Sequence, residues 1–265
     1  MQVLSPRIDW VAFLERIAAV RERVLMLDYD GTLAPFQVRP EQAVPYPGVA
    51  EALASLIRDG GTRIVIVSGR RATDVVPLLP LKPRPEIWGA HGWERLLPSG
   101  KLTTQEPPDG IKRALGEAEE AVREVVRRGG RLERKQASVA LHWRGLPGLS
   151  VVKNEQEAHA AWVPFTRDGT LQLLPFDGGV ELRAPGCNKQ HAVKAVLSET
   201  AADSAIAYLG DDITDEDAFA AVKPRGLAVL VRPELRETQA DAWLRPPGEL
   251  IEFLGRWRES SLARR

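Results

Sequence analysis

Two aspartates, Asp28 and Asp30, stand two residues apart in Asp28-Tyr29-Asp30-Gly31-Thr32-Leu33, directly after the apolar run Val24-Leu25-Met26-Leu27. Carboxylates so placed behind a strand face one crevice, and Gly31 lets the backbone turn sharply there. Asp-Gly alone marks an ordinary turn. The whole hexapeptide behind an apolar run is far more specific. Ser68-Gly69-Arg70 follows a second apolar run, Arg63 to Val67. A hydroxyl and a free amide at a helix start seat an anion, although the same residues also serve as a plain helix cap. Lys189 opens a later helical stretch and offers a compact charge suited to phosphate. Alone it is a weak signal, because most lysines are simply solvated. Gly210-Asp211-Asp212-Ile213-Thr214-Asp215-Glu216-Asp217 then places five acids in eight residues at another strand end. Such a cluster is costly unless a cation or a helix dipole answers it. Asp211 and Asp215, four apart, are expected to share a helix face.

These groups explain one another. Asp28, Asp30 and Asp211 would form a hard oxygen site of the kind Mg²⁺ prefers, shared with waters and a substrate phosphate. Ser68 and Lys189 would hold that phosphate from the other side. A cation and a lysine together neutralise the charge that keeps an anionic nucleophile from an anionic substrate. The chemistry indicated is phosphoryl transfer to an aspartate. The histidines His91, His142, His159 and His191 fall at no metal-ligand spacing and read as structural or solvated.

The elements that must position these residues alternate. Val24–Leu27, Arg63–Val67 and Glu86–Ala90 read as buried strands, with a helical stretch over Pro47–Arg58 and another after Arg70. This order implies a doubly wound parallel sheet covered on both faces. In open sheets of that type, ligands bind beyond the carboxyl ends of the strands. The pattern changes after a hairpin over Trp93–Thr104 and the turn signal Pro107-Pro108-Asp109-Gly110. One long charged helix is expected from Ile111 to about Gly129. Strands follow at Leu132–Gln136 and Ser138–Trp143, a helix around Glu155–Phe165, and strands at Thr170–Pro175 and Val180–Arg183. That αββαββ order describes a small α+β layer. After Ala184-Pro185-Gly186 the first pattern resumes, with a helix over Lys189–Thr200, strands at Ser204–Leu209 and Leu227–Val231, and a closing helix over Leu250–Trp257. The expected organisation is an α/β core over 1–105 and 186–265, with an inserted α+β domain over 106–185.

Composition narrows the function further. The 265 residues carry 36 basic and 36 acidic side chains, so no strong charge points to nucleic acid or an anionic membrane as the main partner. Cys187 is the single cysteine, which excludes an intrachain disulfide and a cysteine zinc cluster. No apolar run reaches the ~20 residues of a membrane helix. Charged residues within Met1–Val20 break the uncharged stretch a signal peptide needs. A cytoplasmic protein with a small-molecule substrate is expected, with a monomer as the default.

In this order, DYDGTL, SGR, a downstream lysine and GDDITDED resemble the four motifs of the haloacid dehalogenase superfamily of phosphohydrolases. That resemblance implies Asp28 as nucleophile and Asp30 as the acid that protonates the leaving oxygen and then deprotonates water. It implies Thr32, Ser68, Gly69 and Lys189 as phosphate-binding residues. A Mg²⁺ site would be formed by Asp28, Asp30 through its backbone carbonyl, and Asp211, with Asp215 supporting it directly or from behind. LDYDGTLAPF, Gly89-Ala90-His91-Gly92-Trp93-Glu94, GDDITDEDAF and Val180 through Lys189 more closely resemble the trehalose-6-phosphate phosphatases. Within the insert, Glu133-Arg134-Lys135 and the stretch Ser138 to Arg144 match that family's cap, which implies that Glu133, Lys135 and Glu181 bind the distal glucose. Gln190 departs from the family, where glycine is commoner after the motif lysine. The core motifs do not separate trehalose 6-phosphate from sucrose 6-phosphate or a mannosyl-glycerate phosphate, and a non-catalytic sugar-phosphate sensor is the rival from another class.

Overall fold

The computed structural model describes residues 1–176, 178–186 and 188–263, and Cys187 lies outside the described residues. The chain divides into two compact units, 1–103 with 188–265, and 104–187. The larger unit opens with β1 (Gln2–Val3), α1 (Trp10–Ala19), β2 (Arg23–Leu27), α2 (Val49–Asp59), β3 (Thr62–Val67), α3 (Ala72–Leu78), β4 (Glu86–Gly89), β5 (Glu94–Leu96) and β6 (Leu102–Thr104). The smaller unit holds α4 (Asp109–Ala121), α5 (Arg123–Arg127), β7 (Arg131–Arg134), β8 (Ser138–His142), α6 (Gly148–Trp162), β9 (Gln172–Phe176) and β10 (Gly179–Arg183). The larger unit then resumes with α7 (Lys189–Ser198), β11 (Ala205–Gly210), α8 (Glu216–Val222), β12 (Leu227–Val231), β13 (Ala242–Leu244) and α9 (Gly248–Leu262).

The larger unit is built on one sheet of order β1-β13-β12-β11-β2-β3-β4-β5-β6. It is parallel from β13 to β4, with antiparallel pairs at β1–β13 and β4–β5. The continuous apolar runs are explained by burial on both sides. Leu25, Leu27, Ile64 and Ile66 pack with Phe13 and Ile17 of α1, Leu53 of α2 and Phe253 and Trp257 of α9. The alternating set Val24, Met26, Val65 and Val67 packs with Val193 and Val196 of α7 and Phe219 of α8. Each such side chain contributes about 1.5–3 kcal/mol on leaving water. This is the α/β doubly wound core that the alternation predicts. Because β11, β2 and β3 are adjacent and parallel, the residues that follow them, Asp211, Asp28 and Ser68, emerge along the same sheet edge.

The smaller unit has an antiparallel sheet of order β7-β8-β10-β9. One face carries Leu132, Val139, Leu141, Val180, Leu182 and Leu173, which pack with Leu115, Ala118 and Trp162 of the helices. The Trp162 Nε1–H donates to the Ala118 carbonyl at 2.9 Å. The single long helix expected here is divided at Val122, whose φ of −107° and ψ of 12° leave the helical region. No glycine or proline marks that break. Among the described residues, no helix is long and apolar enough to cross a membrane.

Candidate active site

Asp28 leaves β2 buried, at 3% exposure, and its N–H donates to the Leu209 carbonyl of β11 at 2.8 Å. The loop after it closes tightly. Leu33 and Ala34 donate to the Tyr29 carbonyl at 2.9 and 3.0 Å, and Gly31 donates to the Ala34 carbonyl at 2.7 Å. Gly31 has φ +82°, and a Cβ there would stand 2.0 Å from Asp211 Oδ2, so both the turn and the approach of Asp211 require glycine. Tyr29 anchors the loop through its hydroxyl, which donates to the Ala43 carbonyl at 2.7 Å.

Lys189 begins α7 and is 3% exposed. Its Nζ lies 2.8 Å from Asp28 Oδ1 and 2.7 Å from Asp215 Oδ1. Asp215 is a hub. Its Oδ1 also accepts from the Tyr208 hydroxyl at 2.5 Å, and its Oδ2 accepts from the N–H groups of Asp211 and Asp212 at 3.2 and 3.1 Å. The expected shared helix face is therefore replaced by a different arrangement. Ile213–Asp215 forms a 3-10 turn capped by Asp212, α8 begins only at Glu216, and Asp215 reaches back to hold the backbone of Asp211.

Three carboxylates, those of Asp28, Asp211 and Asp215, have oxygens within 4.8 Å of one another and are all buried. Burial pushes Asp28 up to about 7 against the pull of Lys189. Burial, with Asp28 and Asp215 nearby, holds Asp211 well above the usual carboxylate range. Burial alone would lower Lys189, but Asp215, Asp28 and Asp211 outweigh it and raise it. Tyr208 is pushed far up by burial and the same acids, so it stays a neutral donor. Asp211 Oδ1 is buried and has no hydrogen-bond partner among the described residues. An all-oxygen set with an excess of negative charge and an orphaned carboxylate oxygen fits a hard divalent cation such as Mg²⁺.

The other expected residues fall around this group. Asp30 is outside the carboxylate cluster. Its two oxygens accept from Arg70 Nε and Nη2, each at 2.6 Å. Arg70 also donates from Nη1 to the Pro40 carbonyl at 2.9 Å. Thr32 is fully buried with its hydroxyl oxygen unpartnered among the described residues. Ser68 is fully buried, and its Oγ accepts from the Arg70 N–H at 3.1 Å. Gly69 lies against the His91 ring, where a Cβ would meet Cε1 at 2.7 Å. Ala90 and His91, at φ 46° and 54°, hold the left-handed region on either side of the bonds that tie them to Arg70 and Ser68. Two such residues in a row indicate backbone strain kept at this turn.

In the smaller unit, Lys135 Nζ donates to Glu181 Oε1 at 3.1 Å, and Ser138 Oγ donates to the same oxygen at 2.7 Å. Glu133 pairs instead with His142 Nε2 at 2.7 Å. Burial would raise Glu133, but Lys135 and His142 bring it down to about 2. Burial keeps the His142 pKa below its ordinary value, so the ring is neutral at pH 7 and donates its Nε2–H. The sequence reading did not find the roles of Arg70, Tyr208, Ser138 and His142 as partners. Only the two-residue step between Ser138 and Ala140, and on to His142, hinted that these side chains share a sheet face.

A family model described as trehalose-phosphatase matches residues 26–242. The chain is 33% identical over 253 residues to a trehalose-phosphate phosphatase of Mycobacterium ulcerans, which covers 88% of this chain and 60% of that protein. It thus spans about 60% of the length of this curated relative. Among solved structures, the C-terminal domain of Candida albicans trehalose-6-phosphate phosphatase superposes with a TM-score of 0.83 at 20% identity, over 98% of this chain and 99% of that one. The C-terminal domain of a Candida albicans trehalose synthase regulatory protein superposes with a TM-score of 0.74 at 15% identity, over 97% and 99%. These two likenesses carry the fold alone, which is shared by a protein named as a phosphatase and one named as a regulatory protein. From the match over residues 26–242, which takes in Asp28, Lys189, Asp211 and Asp215, it follows that this chain belongs to the trehalose-phosphatase family.

Proposed function

We propose that the chain is a Mg²⁺-dependent phosphatase that hydrolyses trehalose 6-phosphate to trehalose and phosphate through an aspartyl-phosphate intermediate. The observation that carries this reading is the position of Lys189 Nζ, 2.8 Å from Asp28 beside the unpartnered Asp211 oxygen. A regulator that only bound a sugar phosphate would have no need of a carboxylate nucleophile backed in this way.

Asp28, Asp211 and the backbone carbonyl of Asp30 would hold the cation, which when bound supplies positive charge against the phosphate oxygens. Asp215 already accepts hydrogen bonds on both oxygens and acts by orienting Lys189 and the Asp211 backbone. An Asp28 oxygen attacks phosphorus and the bond to the sugar oxygen breaks. Asp30 gives its proton to that leaving oxygen and then takes one from the water that hydrolyses the acyl phosphate. Lys189, Thr32, Ser68 and the Gly69 amide hold the phosphoryl oxygens. Glu133, Lys135 and Glu181 of the smaller unit recognise the sugar, and the setting is the cytoplasm.

The test is phosphate release from trehalose 6-phosphate with Mg²⁺, beside glucose 6-phosphate, sucrose 6-phosphate and the Asp28→Asn protein. Release confined to trehalose 6-phosphate, dependent on Mg²⁺ and lost in the variant, is expected. Release from another sugar phosphate would keep the catalytic core and overturn the sugar assignment. Binding without release from any of them would favour the sensor.

A further inference from the structure

The sheet of the smaller unit has one apolar face and one polar face, and the polar face carries Arg183. Register fixes the geometry. Glu133 and Glu181 both pair with Ala140 of β8, and Arg183 pairs with Ser138 of β8 and Gln172 of β9. Side chains of directly paired residues share a face, and so do residues two apart on a strand. Arg183 therefore stands on the face of Glu133, Ser138 and Glu181. Val180 and Leu182 point the other way into the apolar cluster.

Arg183 is 5% exposed, and its Nε and Nη1 have no hydrogen-bond partner among the described residues. The carboxylate nearest along the strand, Glu181, commits Oε1 to Lys135 and Ser138. A buried guanidinium left with unsatisfied donors is costly, and the cost is removed when oxygen acceptors arrive. On the same face His142 Nε2 pairs with Glu133 at 2.7 Å, and Gln172 lies opposite Arg183 in register. The charged set on it is Arg131, Lys135 and Arg183 against Glu133 and Glu181.

We propose that Arg183 is a further substrate-binding residue, whose Nε and Nη1 donate to oxygens on the sugar part of a sugar phosphate beside Glu133, Lys135 and Glu181. This rests on the phosphatase reading above. It extends the sugar-recognising set to Arg183, a residue of the Val180–Lys189 stretch to which the resemblance assigns no role.

The experiment uses the full chain with Arg183→Gln and Arg183→Lys. kcat/KM is measured on trehalose 6-phosphate and on p-nitrophenyl phosphate, binding of trehalose and of inorganic phosphate by calorimetry, and Tm for each protein. The expected result is a loss on trehalose 6-phosphate at least tenfold greater than on the aryl phosphate, with trehalose binding weakened more than phosphate binding. Arg183→Lys should retain part of the selectivity, since it keeps charge but not the planar donor set. Equal losses on both substrates with a lowered Tm would mean a structural role and overturn the proposal, as would weaker phosphate binding with trehalose binding intact. If Arg183→Gln does not fold, the same comparisons on Arg183→Lys decide. Failure of the wild-type chain to release phosphate from trehalose 6-phosphate would overturn the substrate reading and this proposal together. Wild-type release without the predicted selectivity loss overturns this proposal alone.

Discussion

Arg70 grips Asp30 through two hydrogen bonds of 2.6 Å, one to each carboxylate oxygen. A fork of this kind fixes the plane of the carboxylate as well as its position. Arg70 thus aligns the proposed acid. Arg70→Lys keeps a positive charge but loses the fork. We expect kcat on trehalose 6-phosphate to fall about tenfold with a smaller change in KM, the pattern of a lost transition-state alignment. A change in KM alone would show that Arg70 serves binding instead.

The parts legible in the sequence are those encoded locally. Buried runs such as Val24–Leu27 announce strands, and the short motifs behind them announce where the chemistry gathers. The doubly wound core followed from that alternation. What lay beyond reach depends on the packing of distant segments. Tyr208 lies in an apolar strand and reads as core, and only the fold turns its hydroxyl toward Asp215. The Arg70–Asp30 pair spans 40 residues and exists because β2 and β3 are neighbours. Some misses were local. Asp9 accepts from the N–H groups of Val11 and Ala12 at the start of α1, an N-cap signal that lay in plain view. β13 has too few residues to show any period, and it is held by its pairing with β12 and β1. The break at Val122 carries no glycine or proline to betray it.

The carboxylate cluster is arranged for chemistry at the expense of stability. Asp211 is buried beside Asp28 and Asp215, and like charges at that range repel even where solvent screens them. Asp211→Asn keeps the shape and removes one charge. In metal-free buffer the variant is expected to melt higher, by about 1 kcal/mol or more in stability. It should also lose the rise in Tm that Mg²⁺ gives the wild type. Calorimetric scans with and without Mg²⁺ check both. An unchanged Mg²⁺ response would remove Asp211 from the cation site.

A second carboxylate answers to pH rather than metal. Glu199 accepts from Arg95 Nη1 and Nη2 and from Arg63 Nη2, each at 2.7 Å. The Arg95 bonds, with those of Arg63, hold its pKa down at about 2 against an ordinary 4.5. A folded pKa below the unfolded one gives stability that is complete above the unfolded pKa and fades as pH falls toward the folded one. Glu199 is 39% exposed, so solvent screens much of this contribution. Glu199→Gln should therefore melt below the wild type at neutral pH, and the two should converge as pH falls from about 4.5 toward 2. A constant difference across that window would show that packing, and not charge, carries the contact.

Lys135 and Glu181 form a buried ion pair at 3.1 Å, with side chains 8% and 4% exposed, and this allows recognition to be separated from stability. Removing one partner of such a pair leaves an uncompensated charge and costs about 3–5 kcal/mol. Single substitutions at either position therefore confound folding with binding. Replacing both by apolar residues of similar size is commonly neutral. Lys135→Met with Glu181→Leu is thus expected to regain the Tm lost by Lys135→Met alone. If the pair recognises sugar, the double variant will stay at least tenfold more impaired on trehalose 6-phosphate than on p-nitrophenyl phosphate, and Glu133→Gln will show the same bias. Recovery of trehalose 6-phosphate turnover along with the Tm would mean that the pair only stabilises the sheet. Sugar selectivity would then have to come from other side chains on that face.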